Sequence, residues 1–441
     1  MDWKPREPRA PGNICIEQLD RLSTRYRPTE RSNGSADFVV VGAGIIGLTI
    51  AREIKLTWPD SSVLIVEKEG NAGLHASGRN SGVLHAGFYY TPDSLKAQLT
   101  RDGNRKMKEF CHLHSLTMLD CGKVVVTSGE TELDSLKLLY ERGVANQVEL
   151  HWISANELRN IEPMAKTTEF AIYSPTTASV DPVQITDAMV KECNQLGVVF
   201  SFNETVLDSN KTSNGVNITT SKRIISTPML INAAGLYADK IAHSLGVGMQ
   251  YQMQPFIGLY LKSTQNPPKL RTHVYPVPDL RNPFLGVHLT KMVDGSVKIG
   301  PTATPALWRE QYSYAHLFSL QESIESLKGL CKLLIQPKSA LRGSVLSELS
   351  KYSKTLLVLK AKKLVPEVSR SEFDHWSRPG IRAQLVNRET WTLVSDFLIE
   401  TAPNSLHILN AVSPAFTSSI PFAQKVVERL KAELKDQGNF D

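Results

Sequence analysis

The sequence predicts an α/β fold, α+β overall, in which a discontinuous Rossmann-like dinucleotide-binding domain carries an inserted domain of antiparallel sheet and helices. Three observations predict it. A strand, a glycine turn, a helix and a second strand follow one another over residues 37–68. A further apolar run at 229–235 ends in small residues, and residues 250–305 alternate like strands between turns. An insertion between pieces of a dinucleotide-binding fold fits this order.

The composition is that of an ordinary globular enzyme. The 441 residues suffice for two or three domains, and 41% of them are hydrophobic and 21% charged. A net charge of +6 is too small to indicate nucleic-acid binding but suits an anionic substrate. Five scattered cysteines without a CxxC pair argue against a disulfide framework and a zinc site. No stretch approaches the roughly 20 apolar residues of a membrane span.

The first βαβ unit carries a G-x-G-x-x-G loop. Gly42 permits the tight turn, Gly44 lets the backbone approach a pyrophosphate, and Gly47 lets helix and strand pack closely. The amino terminus of the following helix attracts the phosphate charge. Glu67 ends the second strand, where an acidic side chain can accept hydrogen bonds from ribose hydroxyls. The unit therefore predicts a dinucleotide site, although the motif alone does not separate FAD from NAD.

The remaining elements follow from periodicity. Helices are predicted over Leu95–Leu113, from Leu133 to Gly143, from Val183 to Leu196, within 315–365, and from Ser418 to Leu434. Strands are predicted over Lys123–Thr127, Val198–Phe202, Val216–Thr220 and from Met229 onward, and a glycine turn at Pro379-Gly380. Residues 1–36 combine arginines with acids, whereas an import presequence is normally poor in acids. We interpret them as a polar leader, with a targeting segment as the alternative.

Residues 75–90 are dense in small and polar side chains, which a bare NAD-binding unit does not need. Here the chain resembles the D-amino-acid-oxidase-like superfamily of FAD enzymes, and within it the L-2-hydroxyglutarate dehydrogenase branch. The resemblance runs from about residue 37 to 430 and is carried by segments 42–47, 67–69, 78–90, 94–97, 121–123, 232–239, 275–279, 283–288, 300–301, 380–384 and 413–415. Segments 78–90 and 275–288 are specific to the branch, whereas the glycine loop is shared by many FAD enzymes.

The resemblance implies FAD as the cofactor. Its implied binding residues, besides the loop glycines and Glu67, are Lys68, Arg79, Asn80, Ser81, Gly82, Gly235 and Gly380. It also divides the chain into an FAD-binding domain of residues 37–110, 170–250 and 366–441, and a substrate domain of residues 111–169 and 251–365. Two departures stand out. The Arg-Gly-Asp triplet of the branch is replaced within 256–260, and the arginine and proline expected shortly after His407 are absent.

Oxidation of a 2-hydroxy acid needs a base for the hydroxyl proton, a flavin to take the hydride, and cations for the carboxylates. His288, on a strand expected to roof the pocket, is the leading candidate base; His85, in the flavin segment, is the second. Arg382 is a candidate to bind a carboxylate or the flavin ring. Each has a structural alternative. His288 is then a core histidine, His85 a histidine hydrogen-bonded to the local backbone, and Arg382 part of a surface salt bridge. No histidine has metal-ligand spacing with a partner, so no metal is predicted.

The resemblance implies oxidation of L-2-hydroxyglutarate, a small dicarboxylate, to 2-oxoglutarate, with electrons passed to a quinone or other carrier. An amine or amino-acid oxidase of the same superfamily, using oxygen, and a flavin-binding protein with lapsed catalysis remain the alternatives. By family, the location is mitochondrial or the bacterial cytoplasm. The lysine-rich apolar stretch from Lys351 to Lys363 suggests a peripheral contact with a membrane, with an ordinary packed helix as the alternative.

Overall fold

The computed structural model describes residues 34–278, 286–313, 317–336, 348 and 350–436. Most of the leader, residues 1–33, lies outside the described residues, as do 279–285 of the segment 275–288.

Within the described ranges, strands and helices alternate over the first 250 residues and strands dominate the middle. The strands are β1 (Phe38–Val41), β2 (Val63–Val66), β3 (Val83–Leu84), β4 (Met118–Leu119), β5 (Lys123–Val126), β6 (His151–Ser154), β7 (Phe170–Ser174), β8 (Ala178–Val180), β9 (Val199–Ser201), β10 (Val206–Thr212), β11 (Gly215–Thr220), β12 (Ile224–Thr227), β13 (Met229–Asn232), β14 (Tyr251–Gly258), β15 (Leu261–Ser263), β16 (His273–Pro276), β17 (His288–Lys291), β18 (Val297–Gly300), β19 (Thr304–Pro305), β20 (His375–Trp376), β21 (Gly380–Asn387), β22 (Thr392–Leu393), β23 (Leu398–Ala402) and β24 (Ser405–Asn410). The helices are α1 (Ile45–Thr57), α2 (Leu95–Leu113), α3 (Leu133–Ala145), α4 (Ala155–Ile161), α5 (Pro182–Gln195), α6 (Ala238–Ser244), α7 (Leu320–Ile335), α8 (Lys354–Lys362) and α9 (Ala415–Asp436).

A six-stranded sheet in the order β23-β24-β13-β1-β2-β9 forms the dinucleotide-binding layer. Its pairings are parallel except at the edge pair β23–β24. Every residue of β1 is buried, because alternate side chains enter different cores. Phe38 and Val40 pack with α1, α2, α5 and α9 on one face, while Val39 and Val41 pack toward α6 and β11 on the other. A strand covered on both faces is apolar at every position, and this explains the Phe-Val-Val-Val run.

An eight-stranded sheet in the order β20-β15-β18-β17-β16-β5-β7-β6 forms the second layer. It is antiparallel except where β5 runs parallel to β16. Helix α8 buries Leu357, Val358 and Ala361 in the core of this sheet. Between the layers, β14 pairs with β21 along its whole length, from Tyr251↔Asn387 to Gly258↔Gly380.

The structure confirms the mixed α/β fold and the βαβ unit. It corrects the glycine turn: Gly380 begins strand β21 instead. A Cβ there would lie 2.7 Å from the Arg79 carbonyl oxygen, so the glycine serves close backbone packing. The last helix begins at Ala415 and not at Ser418, because its first turn uses small buried residues that hide the apolar period.

The eight-stranded sheet takes β7 and β20 from segments that the predicted division assigned to the FAD-binding domain. The exact domain boundaries therefore stay a prediction. Over the described residues, no helix combines the length and apolarity required to cross a bilayer.

Candidate active site

A cavity of about 520 Å³ lies where β1, β2, β13 and β24 end. The residues that follow each strand line it, as expected for a ligand site at the carboxyl edge of a parallel sheet. The volume falls within the range of cofactor and ligand sites. The cavity wall includes Gly42, Gly44, Glu67, Lys68, Arg79, Asn80, Ser81, His85, Gly235, Gly380 and Arg382. Of the predicted site residues, Gly47, Gly82 and His288 lie outside the wall.

The glycine loop is packed too closely for side chains. A Cβ at Gly42 would lie 2.6 Å from the Ala233 carbonyl oxygen, and its φ of +103° is one that favours glycine. A Cβ at Gly47 would lie 2.0 Å from the Gly42 carbonyl oxygen, so this glycine allows α1 to pack on β1. Gly44 precedes α1 and lines the cavity, where a Cβ would meet only Ser77 Oγ, at 3.2 Å. The tight turn at Gly42 and the close packing at Gly47 agree with the motif, and the approach of Gly44 to a pyrophosphate stays a prediction.

Glu67 is bonded to the backbone of the loops around it. Its Oε2 accepts a hydrogen bond from the Ala43 N–H at 2.7 Å, and its Oε1 accepts one from the Glu69 N–H at 2.9 Å. The carboxylate therefore holds the glycine loop against the end of β2. The predicted bond to a ribose hydroxyl stays a prediction, for which each oxygen retains a second lone pair.

Lys68 joins two carboxylates beside the cavity. Its ammonium donates to Glu69 and lies 2.7 Å from Glu310 Oε1. Burial opposes the charged form, but the two carboxylates outweigh it and raise the pKa of Lys68 above its usual value. Glu310 also accepts from the Tyr237 hydroxyl at 2.7 Å. Lys68 is thus held by ion pairs at the cavity wall and has a defined position.

His75 and Tyr312 extend this network toward Arg79. His75 lies 2.7 Å from the Tyr312 hydroxyl and 3.0 Å from Glu69, and the Arg79 guanidinium stacks 4.2 Å above the Tyr312 ring. Ligand atoms of Glu69, His75 and Glu310 lie within 4.8 Å of one another. The Lys68 ammonium already supplies the positive charge between both carboxylates, so the contacts describe an ion network, and the absence of a metal stays a prediction.

The segment after β2 is held by its own side chains. Arg79 donates to the carbonyls of Leu74, at 2.7 Å, and Pro379, at 3.3 Å. Asn80 Nδ2 donates to Ser77 O, and its Oδ1 accepts from the Gly82 N–H. Arg79, Asn80 and Ser81 line the cavity, whereas Gly82 packs against β8.

Gly82, Gly235 and Gly380 contribute in different ways. A Cβ at Gly82 would lie 2.5 Å from Val180 O, so this glycine serves packing, as Gly380 does. A Cβ at Gly235 would meet no atom within 4 Å, since this residue borders open cavity at a φ of +54°. Gly235 is therefore placed to let a ligand approach the backbone after β13.

The candidate bases lie at one end of the site. His85 lines the cavity, and burial lowers its pKa well below the usual value. His288 is buried behind it, with Nδ1 at 2.9 Å from Gly286 O and its ring stacked 3.8 Å from that of Tyr275. Burial lowers the pKa of His288 to about 3. Because a carbonyl only accepts, Nδ1 carries the proton, and Nε2 of the neutral ring holds a free lone pair.

Arg382 lies on β21 and faces the cavity. Its Nη1 donates to Thr302 O at 3.2 Å. A Cβ at Gly258 would lie 3.1 Å from the same nitrogen, so Gly258 makes room for the guanidinium. Gly258 belongs to the stretch in which the expected arginine triplet is absent. Arg382, on the neighbouring strand β21, thus places a cation beside the stretch 256–260.

Sequence reasoning missed Glu310, Tyr312 and Tyr237. Glu310 and Tyr312 belong to no motif, and Tyr237 lies in segment 232–239 but has no predicted role. They meet Lys68 and His75 only through the packing of the two layers. His407 is buried on β24 with Nδ1 at 3.1 Å from Asn232 Nδ2.

The residues fit FAD on structural grounds. The loop glycines leave a cradle that a side chain would fill, and the wall continues from this cradle past Gly235 to His85 and Arg382. Gly42, Gly44, Glu67 and Lys68 would hold the adenine nucleotide part of FAD. Arg79, Asn80, Ser81 and Gly380 would hold the flavin part.

Comparisons with known proteins agree with this assignment. Residues 37–429 match the family model described as DAO, FAD dependent oxidoreductase. The chain is 37% identical to L-2-hydroxyglutarate dehydrogenase of Escherichia coli K12 over 91% of its length and 95% of the relative. It is 34% identical to the mouse protein "L-2-hydroxyglutarate dehydrogenase, mitochondrial" over 90% of this chain and 88% of that one.

Solved structures with the same fold include L-α-glycerophosphate oxidase from Mycoplasma pneumoniae with FAD bound. It has a TM-score of 0.72 and 23% identity, over 90% of this chain and 95% of that one. Glycine oxidase from Geobacillus kaustophilus has a TM-score of 0.67 and 17% identity, over 90% and 94% of the two chains.

Proposed function

Because the chain belongs to the DAO family of FAD-dependent oxidoreductases, we propose that it oxidises L-2-hydroxyglutarate to 2-oxoglutarate. The observation that carries this proposal is the 37% identity to an L-2-hydroxyglutarate dehydrogenase over 91% of the chain. The cavity supports it, since its wall includes the candidate base His85 and the guanidinium of Arg382. A hydroxy acid needs a base and a cation of these kinds.

In the proposed reaction, His288 Nε2 takes the proton of the substrate hydroxyl as the carbonyl forms at carbon 2. FAD held in the cavity would supply the hydride acceptor for that carbon. The hydrogen bond to Gly286 O fixes the tautomer, and the stack on Tyr275 fixes the plane of the ring. The low pKa keeps the imidazole neutral throughout the physiological range, so the lone pair is present before substrate arrives.

Arg382 is proposed to bind the carboxylate next to the reacting carbon. Its guanidinium donates to Thr302 O and lines the cavity, and a guanidinium is the side chain best suited to pair with a carboxylate. His85 is the alternative base, because it lines the cavity directly. Replacing each histidine by alanine separates the two. His288→Ala should slow flavin reduction roughly 10²–10⁴-fold. If His288→Ala reduces the flavin at the wild-type rate and His85→Ala reduces it slowly, His85 is the base.

Anaerobic mixing tests the overall function. FAD-loaded protein mixed with L-2-hydroxyglutarate should lose its visible flavin absorbance, whereas D-2-hydroxyglutarate should leave it unchanged. Bleaching by an amino acid or sarcosine, with rapid hydrogen peroxide release in air, identifies an amine oxidase instead. An unbleached flavin across a panel of hydroxy and amino acids identifies a protein with lapsed catalysis.

We further propose that a quinone or other carrier reoxidises the flavin at a membrane surface, in the compartment of the relatives. The lysine-rich stretch from Lys351 to Lys363 gives only weak support for contact with a membrane. Lys351 is buried and ion-paired with Glu348, and Leu357 and Val358 are in the core. The lysines of this stretch therefore do not form one continuous basic face.

Helix α7 is the stronger candidate for this contact. Leu320, Ile324, Leu327 and Ile335 are all exposed, by 65%, 46%, 53% and 71%, and recur at helical spacing. Lys328 and Lys332 are exposed beside them. On the buried side of the same helix, Ser326 and Gly329 lie against β14 and Leu333 packs with Phe256. An outward apolar face flanked by lysines suits an anionic bilayer.

A further inference from the structure

Lys123 is a buried amine without a partner. It opens strand β5, between His273 on β16 and Ser174 on β7, and its side chain is 0% exposed. Three rings surround its ammonium, with the centroids of Phe88, Tyr89 and Tyr275 at 4.9, 4.8 and 4.6 Å from Nζ. Nζ has no hydrogen-bond partner in the described part of the chain. We call Lys123 and these three rings the lysine cage.

The surroundings of the cage lack a counterion. No Asp or Glu among the described residues forms an ion pair with Lys123, and Cys121 is the group that favours its charged form. Burial lowers the pKa of Lys123 to about 7. His85, His273 and His288 are the other titratable groups that sense this charge, and burial keeps all three neutral. A protonated Lys123 is thus an uncompensated cation.

An uncompensated buried amine is costly and needs a reason. The rings stabilise the cation only in part, because a cation–π contact supplies no hydrogen-bond acceptor. The hydroxyl of Tyr89 is a second buried group without a partner in the described structure. A buried donor that finds no acceptor destabilises the fold. The ammonium over the Tyr89 ring and the hydroxyl of the same ring both lack an acceptor among the described residues, and an anionic ligand would supply one.

The cage adjoins the proposed reaction centre. Phe88 and Tyr89 follow His85 in the same loop, and His85 lines the cavity. The Tyr275 ring stacks on His288, the proposed base. Besides burial, the charge of Lys123 lowers the pKa of both His85, in the cavity wall, and His288, so the cage lies close to this end of the cavity. A four-carbon stem lets the ammonium turn from the rings toward a ligand in the cavity.

We propose that Lys123, with the Tyr89 hydroxyl, binds a carboxylate of the substrate and thereby restricts the site to organic acid anions. This inference rests on the proposed function, since it concerns the same substrate. The dicarboxylate then has two cations, Arg382 and Lys123. Lys123 also supplies a cation to a site that has lost the arginine of the family triplet.

The test uses the FAD-loaded protein and the variant Lys123→Met, which keeps the length of the stem and removes the charge. The probes are 2-oxoglutarate and 2-oxovalerate, which differ in the second carboxylate. Binding is followed by the change in flavin absorbance and by the rise in unfolding temperature on adding ligand. The matched control is Lys291→Met, which removes a lysine from the same sheet that is not part of the cage.

We expect Lys123→Met to bind 2-oxoglutarate roughly 10- to 100-fold more weakly, as loss of a charged hydrogen bond predicts. Without ligand it should unfold at the same temperature as the wild type or higher, because the unsatisfied amine is gone. Loss of affinity for both probes assigns Lys123 to the carboxylate beside the keto group, and loss for 2-oxoglutarate alone assigns it to the distal one. Unchanged affinity for both overturns the proposal.

The proposed function fails in a different way. If wild-type protein binds neither probe and is not bleached by L-2-hydroxyglutarate, the substrate assignment is wrong whatever the variant does. If the wild type binds and is bleached while Lys123→Met equals Lys291→Met in every affinity, only the role of Lys123 is wrong.

Discussion

Gly47→Ala should weaken FAD binding, although residue 47 does not line the cavity. The added Cβ would lie 2.0 Å from the Gly42 carbonyl oxygen, whereas ordinary van der Waals contact begins at 3.4 Å. Helix α1 must therefore move from β1 by about 1.4 Å, and overpacking of this kind costs ~1–3 kcal/mol. The displacement carries the amino terminus of α1 and Gly44 away from the pyrophosphate position. If the cofactor-bound form bears this cost, the Kd for FAD rises roughly 5- to 150-fold.

The assay is titration of cofactor-free protein with FAD, followed by quenching of flavin fluorescence. Gly215→Ala is the matched control, since its Cβ would lie 2.1 Å from the Thr227 carbonyl oxygen and Gly215 itself does not line the cavity. We expect it to lower the unfolding temperature yet keep the FAD affinity of the wild type. A Gly47→Ala protein that binds FAD as tightly as the wild type would refute the packing argument.

Three further predictions follow from the site. Glu67→Gln retains one carbonyl oxygen for two N–H donors, so the glycine loop loosens and FAD binds several-fold more weakly in the same titration; wild-type affinity would show that the brace is dispensable. The pKa of Lys123 falls on folding to about 7, from its usual value near 10.4. Between these two pKa values the unfolded chain binds the proton more tightly, so the wild type loses stability as the pH falls from about 10.4 to about 7. In urea unfolding without ligand, the free energy of unfolding of Lys123→Met should therefore exceed that of the wild type by the largest amount below pH 7. A difference between the two proteins that does not change with pH contradicts this. Leu327→Gln should reduce binding to anionic vesicles more than Val144→Gln, an equally exposed site on α3, and equal losses would exclude α7 as the contact.

The sequence predicts the cofactor half of the site well because that half is local. Gly42, Gly44, Gly47 and Glu67 lie within one βαβ unit, where spacing alone determines which backbone groups meet. The fold class follows for the same reason, since strands buried on both faces are apolar at every position.

The substrate half depends on contacts between distant parts of the chain, so spacing does not reveal it. Glu310 reaches Lys68, and Tyr275 reaches Lys123, only after separate strands have paired. Gly380 illustrates a related error: it indicates a turn in the sequence, yet its smallness accommodates the Arg79 carbonyl oxygen. A glycine in a sequence can indicate a turn or the close approach of another part of the chain. The sequence alone does not show which of the two applies.

The strand order β24-β13-β1 of the cofactor sheet has a consequence for biosynthesis. Strand β1 leaves the ribosome before β24, which belongs to the same sheet, and before helix α9, which packs against α1. The nascent chain must therefore keep the apolar surfaces of β1 and α1 from aggregating while the second layer is translated. Loading with FAD belongs after translation of α9, and the demand on chaperones should be greatest just before it.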